Sequence, residues 1–480
     1  MAEMFIAGAF VPFPDVERIP VINPATGEVL DTVPLAGPAQ VDEAVQQAHR
    51  AFATWWETPA GRRGEILHAA AQRVHERREE LAWLLTSEQG KPLREARLEI
   101  QRFVHTLSHY AGLAKNLRGG SVPNLDEHAY GLILKRPIGV VGAIVPWNFP
   151  TSLLANKLGP ALAAGNTVVA KPAETTPLTT LRIAALVHEA GVPAGVFNVV
   201  TGLGPVAGRA LVEHPLVRKV AFTGSTAVGK GVMAAAAAQL KRVTLELGGS
   251  DPMIVCDDAD LDAAARAASV GRFFNCGQAC LAVKRLYVFE SVAEAFVEKL
   301  LERVRRLRLG PGTQEGVTLG PLHTARQRAL IEEQLQDGLD RGGRLLCGGR
   351  RPEGALYERG FFFEPTVVWE PSRESRLAQE EVFGPVLPVW RVADLEEAIA
   401  RANDSIYGLG SSIWTRDLDR ATYAAERLEA GYTWINSVNR IYDELPFGGL
   451  KQSGIGKEHG AEALDHYVEV RSVVIRRHGG

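Results

Sequence analysis

Cysteine is scarce: the 480 residues hold four, Cys256, Cys276, Cys280 and Cys347, with no CxxC pair and no zinc-type spacing. That excludes a disulfide framework and points to a reducing compartment, so a cytoplasmic protein is expected. An excess of one charge sign is also missing. Lys and Arg number 53 against 56 Asp and Glu, a formal net charge of -3, and no basic run is interleaved with aromatics, so nucleic acid is not an expected partner. The longest apolar stretch, "IGVVGAIVPWNFP" from Ile138 to Pro150, is too short for a bilayer span and is broken by Gly and Pro; it reads as a buried strand and its turn, with no membrane partner. The N-terminus "MAEMFIAGAFVPFPDVERIP" has no basic region leading into an apolar one, so no export or transit signal is read there. HExxH is absent and the 12 histidines form no ligand set, so no metal is expected. No tyrosine has Lys four positions later, which sets aside a short-chain reductase.

What is present is ample apolar content, 46% of the chain, over a length that exceeds the roughly 250–300 residues one core serves, so two or more lobes are expected. Amphipathic stretches alternate with short Val/Ile-rich runs, the pattern of βαβ units around a parallel sheet. In "VDEAVQQAHRAFATWW" the apolar residues Val41, Ala44, Val45, Ala48 and Phe52 fall at helical spacing and predict a core-facing stripe. "GVVGAIV", "NTVVAKP", "GVFNVVTG", "KVAFTGS", "PMIVC" and "RLYVF" read as strands. "GGRRPEGALYERGFFF" reads as a surface loop.

Two Gly-rich stretches compete for phosphate. "GSTAVGKG", Gly224 to Gly231, satisfies GxxxxGK but has Gly231 where a P-loop needs Ser or Thr, so nucleotide hydrolysis is rejected. "GLGPVAG", Gly202 to Gly208, misses the third glycine of a dinucleotide fingerprint by one position and reads as a plain turn. The first stretch nevertheless lies between the strand-like "VRKVAFT" and the helical "GKGVMAAAAAQL", which suits a pyrophosphate at a helix N-terminus. The fingerprint then assigns an acid about 20 residues on, Glu246 of "TLELGGS", to a ribose hydroxyl.

"VPWNFP", "KPAETTP", "FTGST", "LELGG", "GQAC", "EEVFGPV" and "PFGGLKQSGIG" occur in one order along nearly the whole chain. Together they resemble the aldehyde dehydrogenase superfamily, with an overall look closest to succinate semialdehyde dehydrogenases. The resemblance implies that Cys280 is the nucleophile and Cys276 a small buried hydrophobe. It implies Glu246 as the base, against the ribose assignment, and Asn148 as the oxyanion donor. Lys157 and Glu458 match positions of a proton path, with paired or solvated surface charges as the other reading. A thiol near its ordinary pKa of about 8.5 is only a few per cent ionised at pH 7, so the site has to assist it.

For the cofactor, the resemblance implies NAD, held by Trp147, Lys171, Ala173, Glu174, Gly224, Ser225, Leu247, Glu381 and Phe383. Glu174 accepts from both ribose hydroxyls and repels a 2′-phosphate; NADP stays open because Lys171 can turn toward a phosphate. The aldehyde pocket implied is Phe149, Leu153, Asn156, Phe274, Leu281, Ile441 and Phe447, with Arg440 as a cation on its loop. Succinate semialdehyde dehydrogenases carry arginines where Asn156 and Phe274 stand here, which sets that substrate against aromatic, aliphatic and hydroxy aldehydes. A coenzyme A-acylating enzyme has no need of Glu246, and a non-catalytic member would have lost Cys280, Glu246 or Asn148; all three are present.

The fold implied is α/β: a Rossmann-like NAD-binding domain over 1–118 and 140–248, an α/β catalytic domain over 249–448, and a small β oligomerisation extension over 119–139 and 449–480. A tail strand in "YVEVRSVVIRR" needs an edge to pair with, so a homodimer or homotetramer is expected.

Overall fold

The computed structural model describes residues 1–476. Four of the apolar runs, with Arg242–Glu246, which is not among the runs that read as strands, form the parallel centre of an eight-stranded sheet, in the order Arg242–Glu246, Val217–Thr223, Val140–Ile144, Thr167–Lys171, Phe197–Val199. Gly454–Ile455 closes one edge and Met4–Ile6 with Ala9–Val11 the other, both antiparallel. These central strands are apolar on both faces because helices cover both. Pro150–Ala164, Leu178–Glu189, Ala60–Glu76, Arg78–Gln89 and Leu93–Leu113 contribute to the core on one side, and Pro38–Glu57 with Thr226–Ala237 to the core on the other. In chain order the strands read fifth, fourth, first, second, third, so winding reverses between Val140–Ile144 and Val217–Thr223. Loops leaving the carboxyl ends of those two strands diverge and leave a crevice.

The second sheet has seven strands, Arg344–Cys347, Thr366–Trp369, Val386–Val392, Val283–Phe289, Asp251–Val255, Gly410–Trp414 and Tyr432–Ile435 in that order. All but the first pair are parallel. A third sheet joins Gly120–Asp126, Ala129–Pro137 and Val468–Arg476 antiparallel. The segment 449–480 divides between sheets. Gly454–Ile455 belongs to the first, Ala463, Leu464 and Tyr467 are buried in the first core, and only Val468–Arg476 joins the third; residues 477–480 lie outside the described residues.

Local readings are corrected in three places. The stripe of helix Pro38–Glu57 runs through Val41, Ala44, Val45 and Ala48 but ends on the fully buried Trp55, with Phe52 half-buried. "GLGPVAG" is a helical turn over Gly204–Gly208 that runs into Arg209–Glu213, because burial of Ala207 and Gly208 rewards a packed helix start over a plain turn. "GGRRPEGALYERGFFF" is exposed only through its middle; Phe362 and Phe363 return to full burial.

Three buried carboxylates lie around the turn between helices Arg78–Gln89 and Leu93–Leu113; two hold helix starts of the first lobe and the third reaches the second lobe. Glu88 accepts from the backbone N–H of Leu178 at 2.8 Å and Thr179 at 2.9 Å. Glu99 accepts from Thr151 N–H at 2.9 Å and Ser152 N–H at 3.3 Å. Each therefore caps the N-terminus of another helix, supplying acceptors to backbone N–H groups that have no partner inside the helix. Glu95 accepts from Asn275 N–H at 2.8 Å, reaching across to the segment that leads to Cys280. Burial pushes Glu88 and Glu95 up to about 7 each.

Glu88→Ala strands two buried donors and should lower unfolding stability by about 2–4 kcal/mol in urea titrations. Because the folded-state pKa of Glu88 is raised from 4.5 to about 7, its contribution is full below the unfolded value and is lost as pH rises through 7. The deficit of the variant should therefore be larger at pH 5 than at pH 8; an equal deficit would show that this carboxyl does not titrate in that window.

Candidate active site

The crevice at the reversal of strand order is a cleft of about 260 Å3. Pro146, Trp147 and Asn148 enter it from the end of Val140–Ile144, Gly224 and Ser225 from the end of Val217–Thr223, and Leu247 and Gly248 from the end of Arg242–Glu246. Facing them from the second lobe are Cys280, Gln327, Leu330, Glu381 and Phe383. Ser225 caps the helix Thr226–Ala237, its Oγ accepting from Val228 N–H at 3.4 Å. This is the helix start read from "GSTAVGKG". Glycine is required beside it: a Cβ on Gly229 would lie 2.3 Å from Leu247 Cδ2.

Cys280 sits half-buried at the end of a tightly wound loop. Asn275, Cys276 and Gly277 are successive left-handed residues, with φ of 50°, 55° and 73°. The conformation is strained for the first two and is held from outside. Arg272, fully buried, donates through Nη2 to the carbonyls of Val382 at 2.8 Å and Gly384, and through Nη1 to that of Val283 at 3.3 Å. A Cβ on Gly277 would lie 2.3 Å from the Gly384 carbonyl oxygen, so this loop and the segment carrying Glu381 and Phe383 touch backbone to backbone. Burial pushes the Cys280 thiol up to about 12, with Lys284 opposing and Glu246, Asp251 and Glu381 adding to the rise. Cys256 and Cys276 are buried and Cys347 is half-buried outside the cleft; burial also raises all three.

The Asn148 amide donates through Nδ2 to the carbonyl of Gln278 at 3.1 Å, two residues before Cys280. Its second N–H is left for another acceptor. Glu246, at the end of its strand, is buried; Oε1 has no hydrogen-bond partner among the described residues. Burial, reinforced by Glu458, holds this carboxyl well above the usual range. Its carboxylate lies over Gly448, where a Cβ would approach Oε1 to 2.5 Å. Lys157 and Glu458 are not surface charges: both are buried and pair at 2.6 Å, with Lys157 also donating to Thr223 Oγ1 at 2.6 Å. Asn156 Nδ2 donates to the other Glu458 oxygen at 2.9 Å.

Lys171 and Glu174 stand one strand away, at the end of Thr167–Lys171, paired at 3.5 Å. Ala173 is buried, and Val145 N–H donates to the Lys171 carbonyl at 3.1 Å. Glu381 rests on the "LELGG" backbone, Oε1 accepting from Gly249 N–H at 3.0 Å, and Phe383 meets Trp147 edge to face at 5.6 Å. Of the residues read as the aldehyde pocket, Phe149 and Phe274 stack at 5.9 Å and 10°. Leu153, Leu281 and Ile441 are half-buried, and Phe447 is buried against Tyr432 at 5.9 Å. Arg440 is exposed, its guanidinium on the Tyr442 ring at 4.7 Å.

Residues 10–473 match the model of the aldehyde dehydrogenase family. The chain belongs to that family. It is 42% identical to a 3-sulfolactaldehyde dehydrogenase from Pseudomonas putida over 98% of this chain and 96% of that one. It is likewise 42% identical to the NADP(+) succinate-semialdehyde dehydrogenase of Escherichia coli K12, over 96% and 94%. The solved structure of PnpE, from Pseudomonas sp. WBC-3, in complex with nicotinamide adenine dinucleotide superposes with a TM-score of 0.98 at 42% identity, covering 100% of this chain and 98% of that one. The α/β fold with a Rossmann-like sheet and a second α/β lobe is thus the aldehyde dehydrogenase fold.

Several residues of this aldehyde dehydrogenase's cleft escaped sequence reading. Gln327 donates to the Phe383 carbonyl at 2.9 Å. His323 stacks on Trp147 at 4.6 Å, and burial pushes its ring down to about 4. Lys284 is fully buried behind Cys280. A signal existed for the last alone: "LAVKRLYVF" puts two charges inside an otherwise apolar strand.

Iodoacetamide should modify Cys280 first and leave Cys256 and Cys276 unmodified on peptide mapping. With a thiol pKa of about 12, the rate should rise about tenfold between pH 8.5 and 9.5. A plateau in that interval would mean a thiol already ionised.

Proposed function

We propose that the protein oxidises an aldehyde to its carboxylic acid, with Cys280 as nucleophile, Asn148 as oxyanion donor, Glu246 as general base and NAD(P) as hydride acceptor. The observation that carries this reading is the meeting of the Cys280 thiol, the Asn148 amide and the Ser225-capped helix start in one cleft. The Cys280 thiolate adds to the carbonyl carbon. The new oxyanion receives the free N–H of Asn148 Nδ2 and the backbone N–H of Cys280, donors worth about a hundredfold to a thousandfold in rate each. Bound NAD supplies the hydride acceptor when the thiohemiacetal collapses to a thioester. Glu246 then takes a proton from water, which attacks the thioester, releases the acid and returns Cys280. A carboxyl raised by burial suits this task, since a base poised near working pH transfers protons best. Lys157, between Glu458 and Thr223, offers that proton a buried relay.

The residues present fit a dinucleotide. The capped helix start suits a pyrophosphate, Glu381 and Phe383 border the place for a nicotinamide riboside, and Lys171 with Glu174 flanks it where an adenosine ribose would lie. Glu174 supports NAD over NADP, although a relative uses NADP(+) by name. For the substrate, the stacked Phe149 and Phe274 supply an apolar wall, and the buried Asn156 Oδ1 is an acceptor without a partner among the described residues. An acceptor disfavours a distal carboxylate, so we read the preferred aldehydes as uncharged. The second reading, an aldehyde with a distal acid group, is supported by the names of relatives that act on succinate semialdehyde, glutarate semialdehyde and 3-sulfolactaldehyde.

A subunit partner of the same kind fits the third sheet. Its edge strand Val468–Arg476 exposes Val470 and Val474 at 67% and 66%, and addition of a second copy along that edge supports a homodimer or homotetramer. No helix among the described residues is long and apolar enough to cross a membrane, and the four free thiols support a cytoplasmic site.

NADH formation at 340 nm across benzaldehyde, acetaldehyde, lactaldehyde and succinate semialdehyde should favour the uncharged aldehydes in kcat/KM. Preference for succinate semialdehyde would reverse the substrate reading and leave the chemistry intact. Cys280→Ser should abolish turnover with NAD binding retained, while Cys276→Ser, a sulfur-to-oxygen exchange at a buried position outside the cleft, should stay within about twofold of wild type. Asn148→Ala should lower kcat by about a hundredfold to a thousandfold. Comparable loss in both cysteine variants would remove Cys280 from its role.

A further inference from the structure

Four charged groups act on the Cys280 thiol, and they come from four different elements. Glu246 ends the strand Arg242–Glu246, Asp251 begins Asp251–Val255, Glu381 lies in the loop before Val386–Val392, and Lys284 is the second residue of Val283–Phe289. Three are carboxyl groups that oppose a thiolate when ionised, two of them, Glu246 and Asp251, raised by burial; Lys284 is the single cation of the set. Its side chain is fully buried; its Nζ donates to the carbonyls of Ala279 at 2.8 Å and of Cys280 itself at 2.5 Å, and forms an ion pair with Glu381 Oε1 at 3.2 Å. The ammonium is therefore pinned against the backbone of the nucleophile on one side and shared with Glu381 on the other. Glu381 in turn opens on the cleft beside Phe383.

We propose that Lys284 is a positioning residue that couples occupancy of the cofactor site to the reactivity of Cys280. The coupling half of this inference rests on the reading of Glu381 as a cofactor ligand. Without cofactor, the carboxylate of Glu381 both offsets the charge of Lys284 and repels a thiolate. Hydroxyl groups that donate to Glu381 spread its negative charge and weaken both effects, so the field of Lys284 falls on Cys280. Attack on an aldehyde before the cofactor is in place is thereby disfavoured, since the thiol stays protonated, and the thiolate is released where the hydride acceptor is already seated. The lysine needs no large movement, because its three partners already surround it; what changes is how much of its charge Glu381 absorbs.

The test is the rate of iodoacetamide alkylation of Cys280 at pH 8.5, followed by peptide mapping, in wild type, Lys284→Met and Lys284→Arg, each with and without saturating NAD. Loss of a buried cation near the thiol should slow alkylation of the cofactor-free Lys284→Met protein by about tenfold, one unit of thiol pKa. Lys284→Arg, which keeps the charge, should stay within about threefold of wild type. The ratio of rates with and without NAD should be at least about threefold larger in wild type than in Lys284→Met, a comparison in which any shielding of the thiol by NAD cancels. If Lys284→Met alkylates at the wild-type rate, or if Lys284→Arg is as slow as Lys284→Met, the lysine is only a staple for the loop and the proposal fails. NAD affinity of Glu381→Gln by calorimetry separates the two halves: unchanged affinity overturns Glu381 as a cofactor ligand and the coupling with it, without bearing on the cofactor-free rates.

Discussion

The backbone carbonyl of Asn148 is where the two lobes are brought to a common point. It accepts from Lys91 Nζ at 2.8 Å, on the first-lobe side, and from Asn275 Nδ2 at 2.9 Å, on the side of the Cys280 loop. The Asn148 side chain returns a hydrogen bond to Gln278, whose carbonyl also accepts from Asn275 Nδ2 at 3.2 Å. Lys91 is itself fully buried, paired with Glu99 and lying 4.1 Å from the centre of the Phe149 ring. Since Glu99 caps the helix that begins at Pro150, one ion pair orients the end of a strand, the start of a helix and a pocket phenylalanine together. The amide proposed to meet an oxyanion is thus fixed from both ends before any substrate arrives, which is what electrostatic preorganisation requires.

Around that point the molecule accepts a concentration of buried charge that no stability argument favours. Glu246, Asp251 and Glu458 lie buried, answered by Lys157, Lys219 and Lys284. The lysines find partners other than carboxylates: Thr223 Oγ1 for Lys157, Thr244 Oγ1 and the Tyr467 ring for Lys219, backbone carbonyls for Lys284. Each is thereby solvated by fixed dipoles, and burial still pushes Lys219 down to about 7. The net effect on the resting enzyme is a carboxyl and a thiol both biased toward their neutral forms. A neutral thiol is safer from alkylation and oxidation than a thiolate, so reactivity withheld until substrates assemble protects the cysteine that lines the cleft.

Much of this was readable in the chain. The parallel sheet followed from apolar runs buried on both faces, and the helix start at Ser225 from a Gly-rich turn between a strand and a small-residue stretch. Cys280 and Glu246 were separable from their neighbours only through the ordered motifs, because spacing alone assigned Glu246 to a ribose. The surface reading of Lys157 and Glu458 failed for a definite reason. They lie 301 positions apart and pair only when the Pro150–Ala164 helix meets the Phe447 to Glu458 bridge, a contact no local pattern encodes. The same holds for Glu88, Glu95 and Glu99, which look like the polar face of a helix until the helices and loops they cap are brought to them.

The pocket shows how far residue identity and residue role can part. Asn156 replaces a cation expected of an enzyme for distal carboxylates, yet it is not a neutral vacancy. Its Nδ2 is committed to Glu458, the residue that also holds Lys157. An arginine at 156 would place a second cation against Glu458 and draw that carboxylate away from Lys157. Asparagine keeps the Glu458–Lys157 pair intact while giving up a grip on anionic substrates. If Asn156 lines the aldehyde pocket and Glu246 is the base, as proposed, selectivity at the far end of the aldehyde and proton handling near Glu246 are joined through one carboxylate, and a change at 156 should register in both.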